Sequence, residues 1–322
     1  MNKQEQTICV FGGTGFVGRY VVQKLAHQGY RIKVASRSPQ SAYFLRTYGV
    51  VGQIVPVLCD YSEDSIKAAV KGCDYVINTV GILYEKGKSS FEKTHETLPE
   101  NIAKACAKEN VKKLVHISAL GIEDSQSKYA KSKLDGEKAI AKSFENHIIL
   151  RPSIIFGPED DFFNRFAKMA KLSPVLPLIG GGKTVFQPVY VNDVAEAVKT
   201  AIENKEINAT SKVFELAGPE KISFREVLER IQAIIGTDRA YISLPFWLAK
   251  IQGFFLSLLP GEPMLTVDQV KSLQSDNVES GKSPSLQDMG IIPTAMGLVV
   301  PRYLERHVAG GKFAASRKSA KV

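Results

Sequence analysis

The feature that most constrains this chain is the stretch Val10-Phe11-Gly12-Gly13-Thr14-Gly15-Phe16-Val17-Gly18, which continues the apolar run Ile8-Cys9-Val10-Phe11. That run is short and β-favouring, whereas Val17, Val21 and Leu25 recur at helical spacing until Gly29. The local order is therefore strand, glycine turn, helix. Gly12, Gly15 and Gly18 let the backbone turn tightly, approach a pyrophosphate and pack the helix close to the sheet. The helix N-terminus then offers its N–H groups to phosphates. A glycine-rich turn without a ligand is the alternative, and glycine spacing alone does not separate the two. The flanking strand and helix favour a dinucleotide site.

In such sites an Asp or Glu near the end of the second strand, roughly 20 residues on, holds the ribose 2′-hydroxyl of NAD. Here the second strand is Arg31–Ser36, and Arg37 follows it. No acid occurs between Gly18 and Asp60, while Arg19, Lys24, Arg31, Lys33, Arg37 and Arg46 are basic. A guanidinium at position 37 suits a 2′-phosphate, which it grips with a planar fork of donors. Lys24 and Arg46 are expected merely to face solvent. The cofactor expected is NADP(H) in preference to NAD(H).

A chain of 322 residues can bury a large core, as one α/β domain with a smaller companion lobe. The four cysteines, at 9, 59, 73 and 106, have no metal-type spacing and read as reduced core residues of a cytosolic protein. The five histidines are scattered, so no metal site is expected. The N-terminus is too short and polar for a targeting signal, which points to a cytoplasmic protein. A net charge of +9 favours anionic partners without naming one, and no nucleic acid is expected.

Further apolar strands lie at 53–58, 74–79, 113–118, 147–150 and Val213–Leu216, separated by helical segments such as 64–70 and 99–109. This alternation predicts a Rossmann-type doubly wound parallel sheet buried on both faces, with a smaller C-terminal lobe of substrate type. The expected division is a nucleotide-binding domain over 1–156, with 192–217 returning to it, and a lobe made of 157–191 and 218–309. Ligands sit beyond the carboxyl ends of such strands, where Gly12, Arg37, Asp60, Gly81 and Ser118 all fall.

A second constellation is Tyr129-Ala130-Lys131-Ser132-Lys133. Tyr129 and Lys133, four residues apart, share one face of a helix. A free tyrosine titrates near pH 10 and is a poor base at neutrality, but a neighbouring ammonium favours its phenolate and can also hold a nicotinamide ribose. A chance pairing on an exposed basic helix is the alternative. The position after the fifth strand, behind a nucleotide-binding start, favours the binding role.

Together, the glycine motif, Asp60-Tyr61, Asn78-Thr79-Val80-Gly81, Tyr129-x-x-x-Lys133 and Arg151-Pro152-Ser153-Ile154-Ile155-Phe156-Gly157-Pro158 resemble an extended short-chain dehydrogenase/reductase. Three stretches are similar to a narrower, atypical branch: Asn78-Thr79-Val80-Gly81-Ile82-Leu83-Tyr84-Glu85, His116-Ile117-Ser118-Ala119-Leu120-Gly121 and Gln187-Pro188-Val189-Tyr190-Val191-Asn192-Asp193-Val194. That branch contains the nucleotide-binding accessory subunit of respiratory complex I (NADH:ubiquinone oxidoreductase) and its bacterial relatives. The resemblance implies a tightly held NADPH and a mainly structural role beside the quinone-binding region, with dehydrogenase chemistry vestigial or absent. The lack of a presequence suits a bacterial member, at the cytoplasmic face of the inner membrane.

By the same resemblance Gly12, Gly13, Thr14, Gly15, Phe16, Val17 and Gly18 would line the pyrophosphate and Arg37 the 2′-phosphate. Asp60 and Tyr61 would flank the adenine, with Val80 and Gly81 under the adenosine ribose. Tyr129 and Lys133 would meet the nicotinamide ribose, and Pro152 to Ile154 the nicotinamide. Active enzymes of this kind place a Ser or Thr after the fifth strand to polarise a carbonyl, usually in a longer Ser/Thr-rich turn. Here Ser118 is followed by Ala119-Leu120-Gly121, and Ser125 and Ser127 read equally as loop residues capping the tyrosine helix. The alternatives are an active NADP-dependent oxidoreductase or epimerase, and an NADPH-gated redox sensor or assembly factor.

In the smaller lobe, Phe162-Phe163-Asn164-Arg165-Phe166 reads as core rather than as a binding surface. The run 244–259 is apolar nearly all round, holds the only Trp, and is too short and interrupted to span a bilayer. Either it is buried in the lobe or part of it docks on a partner or membrane surface. The basic tail 310–322 is expected to be flexible.

Overall fold

The computed structural model describes residues 3–87, 89–204, 206–207, 212–257, 263 and 265–308. Strands with apolar residues on both faces have no side to give to solvent, so they form the middle of three layers. β1 (Thr7–Phe11), β2 (Arg31–Ser36), β3 (Ile54–Leu58), β4 (Tyr75–Asn78), β5 (Lys113–Ile117), β6 (His147–Pro152) and β11 (Val213–Leu216) make one sheet. Their order is β11-β6-β5-β4-β1-β2-β3, and every neighbouring pair is parallel. The direction of winding reverses between β1 and β4, which opens a crevice at their carboxyl ends.

Helices α1 (Phe16–His27) and α6 (Val191–Glu203) pack together on one face. On the other lie α2 (Glu63–Val70), α3 (Leu98–Lys108) and α4 (Lys128–Ser143). Cys9 and Phe11 of β1, Val76 of β4 and Leu114 of β5 share a core there with Ile66, Ile102 and Ile140. All four cysteines are buried free thiols in that same core. Lys24, expected only to face solvent, pairs with Glu196 of α6 at 3.1 Å.

Two compact units emerge. The first comprises Met1–Pro152, Val191–Leu216 and Glu279–Ile292, the second Ser153–Tyr190, Ala217–Val278 and Pro293–Val322. Glu279–Ile292 differs from the sequence division, which left it in the smaller lobe. Polar pairing explains the difference: Glu215 N–H donates to Pro284 O at 2.8 Å, and the buried Glu215 carboxylate accepts from Ser280 N–H and Oγ–H, both at 2.7 Å.

The second unit holds β7 (Ile155–Phe156), β8 (Val175–Ile179), β9 (Val185–Phe186), β10 (Val189–Tyr190), β12 (Ile222–Ser223) and β13 (Ala240–Leu244). They pair as β7 with β10, β9 with β12, and β8 with β13. Its helices are α5 (Phe162–Leu172), α7 (Phe224–Ile235), α8 (Phe246–Ser257), α9 (Val267–Ser272) and α10 (Met296–Leu304). The aromatic run is core: Phe163 is buried, and Phe162 and Phe166 pack edge-on against Phe186 and Phe224. α7 starts with a capping box between Ser223 and Glu226 and stops at left-handed Gly236. Most of 244–259 is α8, where Phe246 and Leu256 are half-buried but Trp247, Leu248, Ile251, Phe254 and Phe255 are exposed, so the buried alternative fails for those five. Residues 258 and 259 and the tail 310–322 lie outside the described residues.

Candidate functional site

β1 delivers the chain to the crevice at Gly12, which has a φ of +76° and no room for a side chain. A Cβ there would lie 2.7 Å from Thr79 Oγ1, and one on Gly18 would lie 2.1 Å from Gly12 O. Gly18 thus lets α1 close onto the turn, while a Cβ on Gly15 would meet only Gly12 O, at 3.3 Å. No side chain caps α1 at Gly15, so the N–H groups of Phe16, Val17 and Gly18 are left for an anion. Arg19 reaches back to Gly15 O and Thr14 O. Gly13 packs against Val34 and Val22. This is a cradle that fits a pyrophosphate.

Arg37 extends from the end of β2 with its guanidinium 5.5 Å from the centre of the Tyr61 ring. It makes no ion pair among the described residues and is exposed. Tyr61, at φ +73°, is half-buried beside Phe11, and burial raises its hydroxyl above the usual phenol range. Asp60 is committed locally. Its carboxylate accepts from Ser62 N–H and Oγ–H at 2.9 and 2.7 Å, and bonds from the Ser65 and Ser62 side chains draw its pKa down to about 2.

The loop after β4 is held from below. Thr79 N–H and Oγ–H both donate to Phe11 O, at 3.0 and 2.9 Å. Asn78 Oδ1 accepts from Val80 N–H at 3.0 Å, and Asn78 Nδ2 bonds His116 Nδ1 at 3.1 Å. Gly81 leaves space for the Lys133 ammonium, which would lie 3.4 Å from a Cβ there.

Lys133 is buried and donates to Ile117 O at 3.1 Å. Burial lowers its pKa to about 8, opposed by Glu137, so it remains mainly charged at neutral pH. Tyr129 behaves differently from the sequence expectation. Burial pushes its hydroxyl up to about 12 and is the only cause of that shift, so Tyr129 is a proton donor rather than a ready base. Ser127 is the N-cap of α4, accepting from Ala130 N–H at 3.0 Å, with Ser125 bonded to it. Ser118 Oγ is buried and has no hydrogen-bond partner among the described residues, and the same holds for His116 Nε2. Pro152 closes β6 and accepts from Leu120 N–H at 2.9 Å. Ile154 belongs to the second unit, where its N–H donates to Asn277 Oδ1.

Sequence reasoning passed over His95. It sits in a π-helical turn, Glu92–Thr97. Ile82 N–H donates to its Nε2 at 3.1 Å, so Nδ1 carries the hydrogen and donates to Ser132 Oγ at 2.9 Å. Ser132 in turn donates to Tyr129 O at 2.8 Å. One neutral imidazole thereby ties the loop at Gly81 to the helix of Tyr129, and its ring lies edge-on to Tyr129 at 5.3 Å. The turn comes so close to α4 that a Cβ on Gly136 would lie 1.8 Å from His95 O. A mid-helix glycine was the one available signal. At the same helix, Glu137 accepts three hydrogen bonds from the Arg151 guanidinium of β6, at 2.9, 3.2 and 2.6 Å.

The glycine cradle, Arg37 and Tyr61, the Asn78–Gly81 loop and Lys133 all belong to the first unit and fit a nicotinamide dinucleotide. Bound there, the nicotinamide would supply hydride-transfer chemistry. The chain's own residues hold phosphates, offer Lys133 to a ribose and keep a proton on Tyr129.

Residues 8–217 match the NAD dependent epimerase/dehydratase family. The chain is 34% identical over 326 residues to "NADH dehydrogenase [ubiquinone] 1 alpha subcomplex subunit 9, mitochondrial" of Arabidopsis thaliana, covering 97% of this chain and 81% of that one. The mouse protein of the same name is 36% identical over 92% of this chain and 79% of its own length. Among solved structures, an NADPH-dependent quinone oxidoreductase from Escherichia coli, complexed with NADPH, superposes with a TM-score of 0.73 at 20% identity, over 92% of this chain and 99% of that one. That likeness concerns the fold. The chain belongs to the NAD dependent epimerase/dehydratase family of extended short-chain dehydrogenase/reductases and is a homologue of the subunit-9 proteins of mitochondrial NADH dehydrogenase.

Proposed function

We propose that this protein is an NADPH-binding accessory subunit of respiratory complex I, near the quinone site at the cytoplasmic face of the inner membrane, with vestigial dehydrogenase chemistry. The partner is inferred from the near full-length homology to subunit-9 proteins. Arg37, which stands where NAD enzymes carry an acid and pairs with no acid among the described residues, supports NADPH as the preferred cofactor. The observation that carries the loss of chemistry is Ser118. A carbonyl-polarising hydroxyl must reach substrate, and this one is buried without a partner among the described residues. Tyr129, its proton held up to about 12, reinforces that reading.

Tyr129→Phe tests it. The substitution removes one hydroxyl and keeps the ring against Phe91 and His95. NADPH retention by the purified variant is expected to stay within about threefold of wild type, the loss of a single weak hydrogen bond. Turnover of a physiological carbonyl by wild type, abolished in Tyr129→Phe, would instead establish an active NADP-dependent oxidoreductase or epimerase. That second reading is favoured only by the retention of Tyr129 and Lys133 on one helix.

A further inference from the structure

His95 bonds two segments of the nucleotide site at once. Its Nε2 accepts from Ile82 N–H, beside Gly81, and its Nδ1–H goes to Ser132 Oγ, beside Lys133. The ring is fully buried, stacked on Phe91 with centres 5.4 Å apart and edge-on to Tyr129, so packing holds it in one orientation. Burial first and the Lys133 charge second keep it neutral. An acceptor toward Ile82 and a donor toward Ser132 need that neutral form, since an imidazolium has only donors. A Cβ on Gly81 would lie 3.4 Å from Lys133 Nζ and 3.8 Å from His95 Nε2. Ammonium and imidazole therefore meet the same backbone position.

The chain gives up regular helix to put the ring there. Glu92–Thr97 winds as a π-helical turn ahead of α3, a geometry that is rare and frequent at functional sites. Gly136 of α4 leaves the room the turn needs, since a Cβ there would lie 1.8 Å from His95 O. Lys133 depends on such support: a flexible four-carbon stem presents its charge at one point only when its surroundings hold it. One of its three N–H groups is spent on Ile117 O, which leaves two for a ligand. We infer that His95 is a positioning residue for the nucleotide: it fixes the turn of α4 that carries Lys133 against the Gly81 loop, so that the ammonium points at a ribose. That role rests on the nucleotide reading of the site, and assigns part of the affinity to a side chain outside the contact surface.

NADPH titrations of the folded full-length protein, followed by dihydronicotinamide fluorescence, compare wild type with His95→Leu, His95→Gln, Lys133→Met and the double variant His95→Leu/Lys133→Met. His95→Leu is expected to weaken NADPH by about tenfold or more, the worth of an oriented charge-assisted hydrogen bond. His95→Gln, whose amide both accepts and donates, brings the affinity back to within about threefold of wild type. In the Lys133→Met background the His95→Leu change costs less than about twofold further, because no ammonium is left to position. A merely structural role would lower the urea midpoint and leave the folded protein's affinity unchanged, or add its loss in full to that of Lys133→Met. Either result overturns the inference, as does a His95→Gln protein that binds no better than His95→Leu. Should His95→Leu not fold, Ser132→Ala decides: it is expected to weaken NADPH by about threefold alone and not at all beside Lys133→Met. Equal losses in both backgrounds, or no loss in either, would contradict the role. Wild type that binds neither NADPH nor NADH would refute the nucleotide reading, and the role of His95 with it.

Discussion

Arg37 is the residue on which cofactor choice turns. Its guanidinium is exposed, 5.5 Å from the centre of the Tyr61 ring and unpaired with any acid among the described residues, so its donors remain for a phosphate. A charge-assisted hydrogen bond to a phosphate contributes about 1.5–3 kcal/mol, a factor of roughly 10–100 in affinity. Arg37→Ala is therefore expected to weaken NADPH by that factor while changing NADH by no more than about threefold, as titration of the purified protein would measure. Equal losses for both dinucleotides would remove Arg37 from the 2′-phosphate. Arg37 was legible in the sequence because its meaning depends on position after a strand, a local property. His95 was not, since its partners Ile82 and Ser132 come from elements that only tertiary folding brings together. Tyr129 lies between these cases: the pairing with Lys133 could be read from spacing, but the depth of burial that keeps it protonated could not.

At the scale of elements, apolar periodicity fixed the strands because a strand buried on both faces leaves an uninterrupted apolar run. Helix ends were readable where side chains cap them, as Ser62 does by accepting from Ser65 N–H ahead of α2. The π-helical turn before α3 left no such mark. It has a consequence for stability, because it holds His95 neutral, its pKa lowered to about 2 by burial and then by the Lys133 charge. Unfolded, the imidazole takes a proton near pH 6.5. Below that pH the unfolded chain binds the proton and the folded chain does not. Stability is therefore complete above about 6.5 and is lost as pH falls toward about 2. At pH 5 this residue accounts for a loss of about 2 kcal/mol, and buried His116, shifted the same way, adds to it. Urea midpoints are expected to drop between pH 7 and pH 5, and to drop less in His95→Gln. An undiminished drop in that variant would show that protonation elsewhere governs acid lability.

Across the whole molecule, the two units differ in how far the sequence foretold them. The first follows from alternating strands and helices, except for Glu279–Ile292, which joins it through Glu215 and Ser280 with no periodic signal. In the second, the aromatic run behaves as core, while α8 turns five of its large residues outward. Apolar composition alone cannot distinguish a buried helix from one awaiting a covering surface. Within the described residues no helix is long and apolar enough to cross a membrane. The most direct test is native purification of the protein from detergent-solubilised membranes, with identification of co-migrating chains and of the released nucleotide. The expected result is co-migration with the subunits of NADH:ubiquinone oxidoreductase through a high-salt wash, with NADPH bound. Quantitative recovery as a free protein with no respiratory-chain partner, turning over a carbonyl substrate with NADPH, would contradict it.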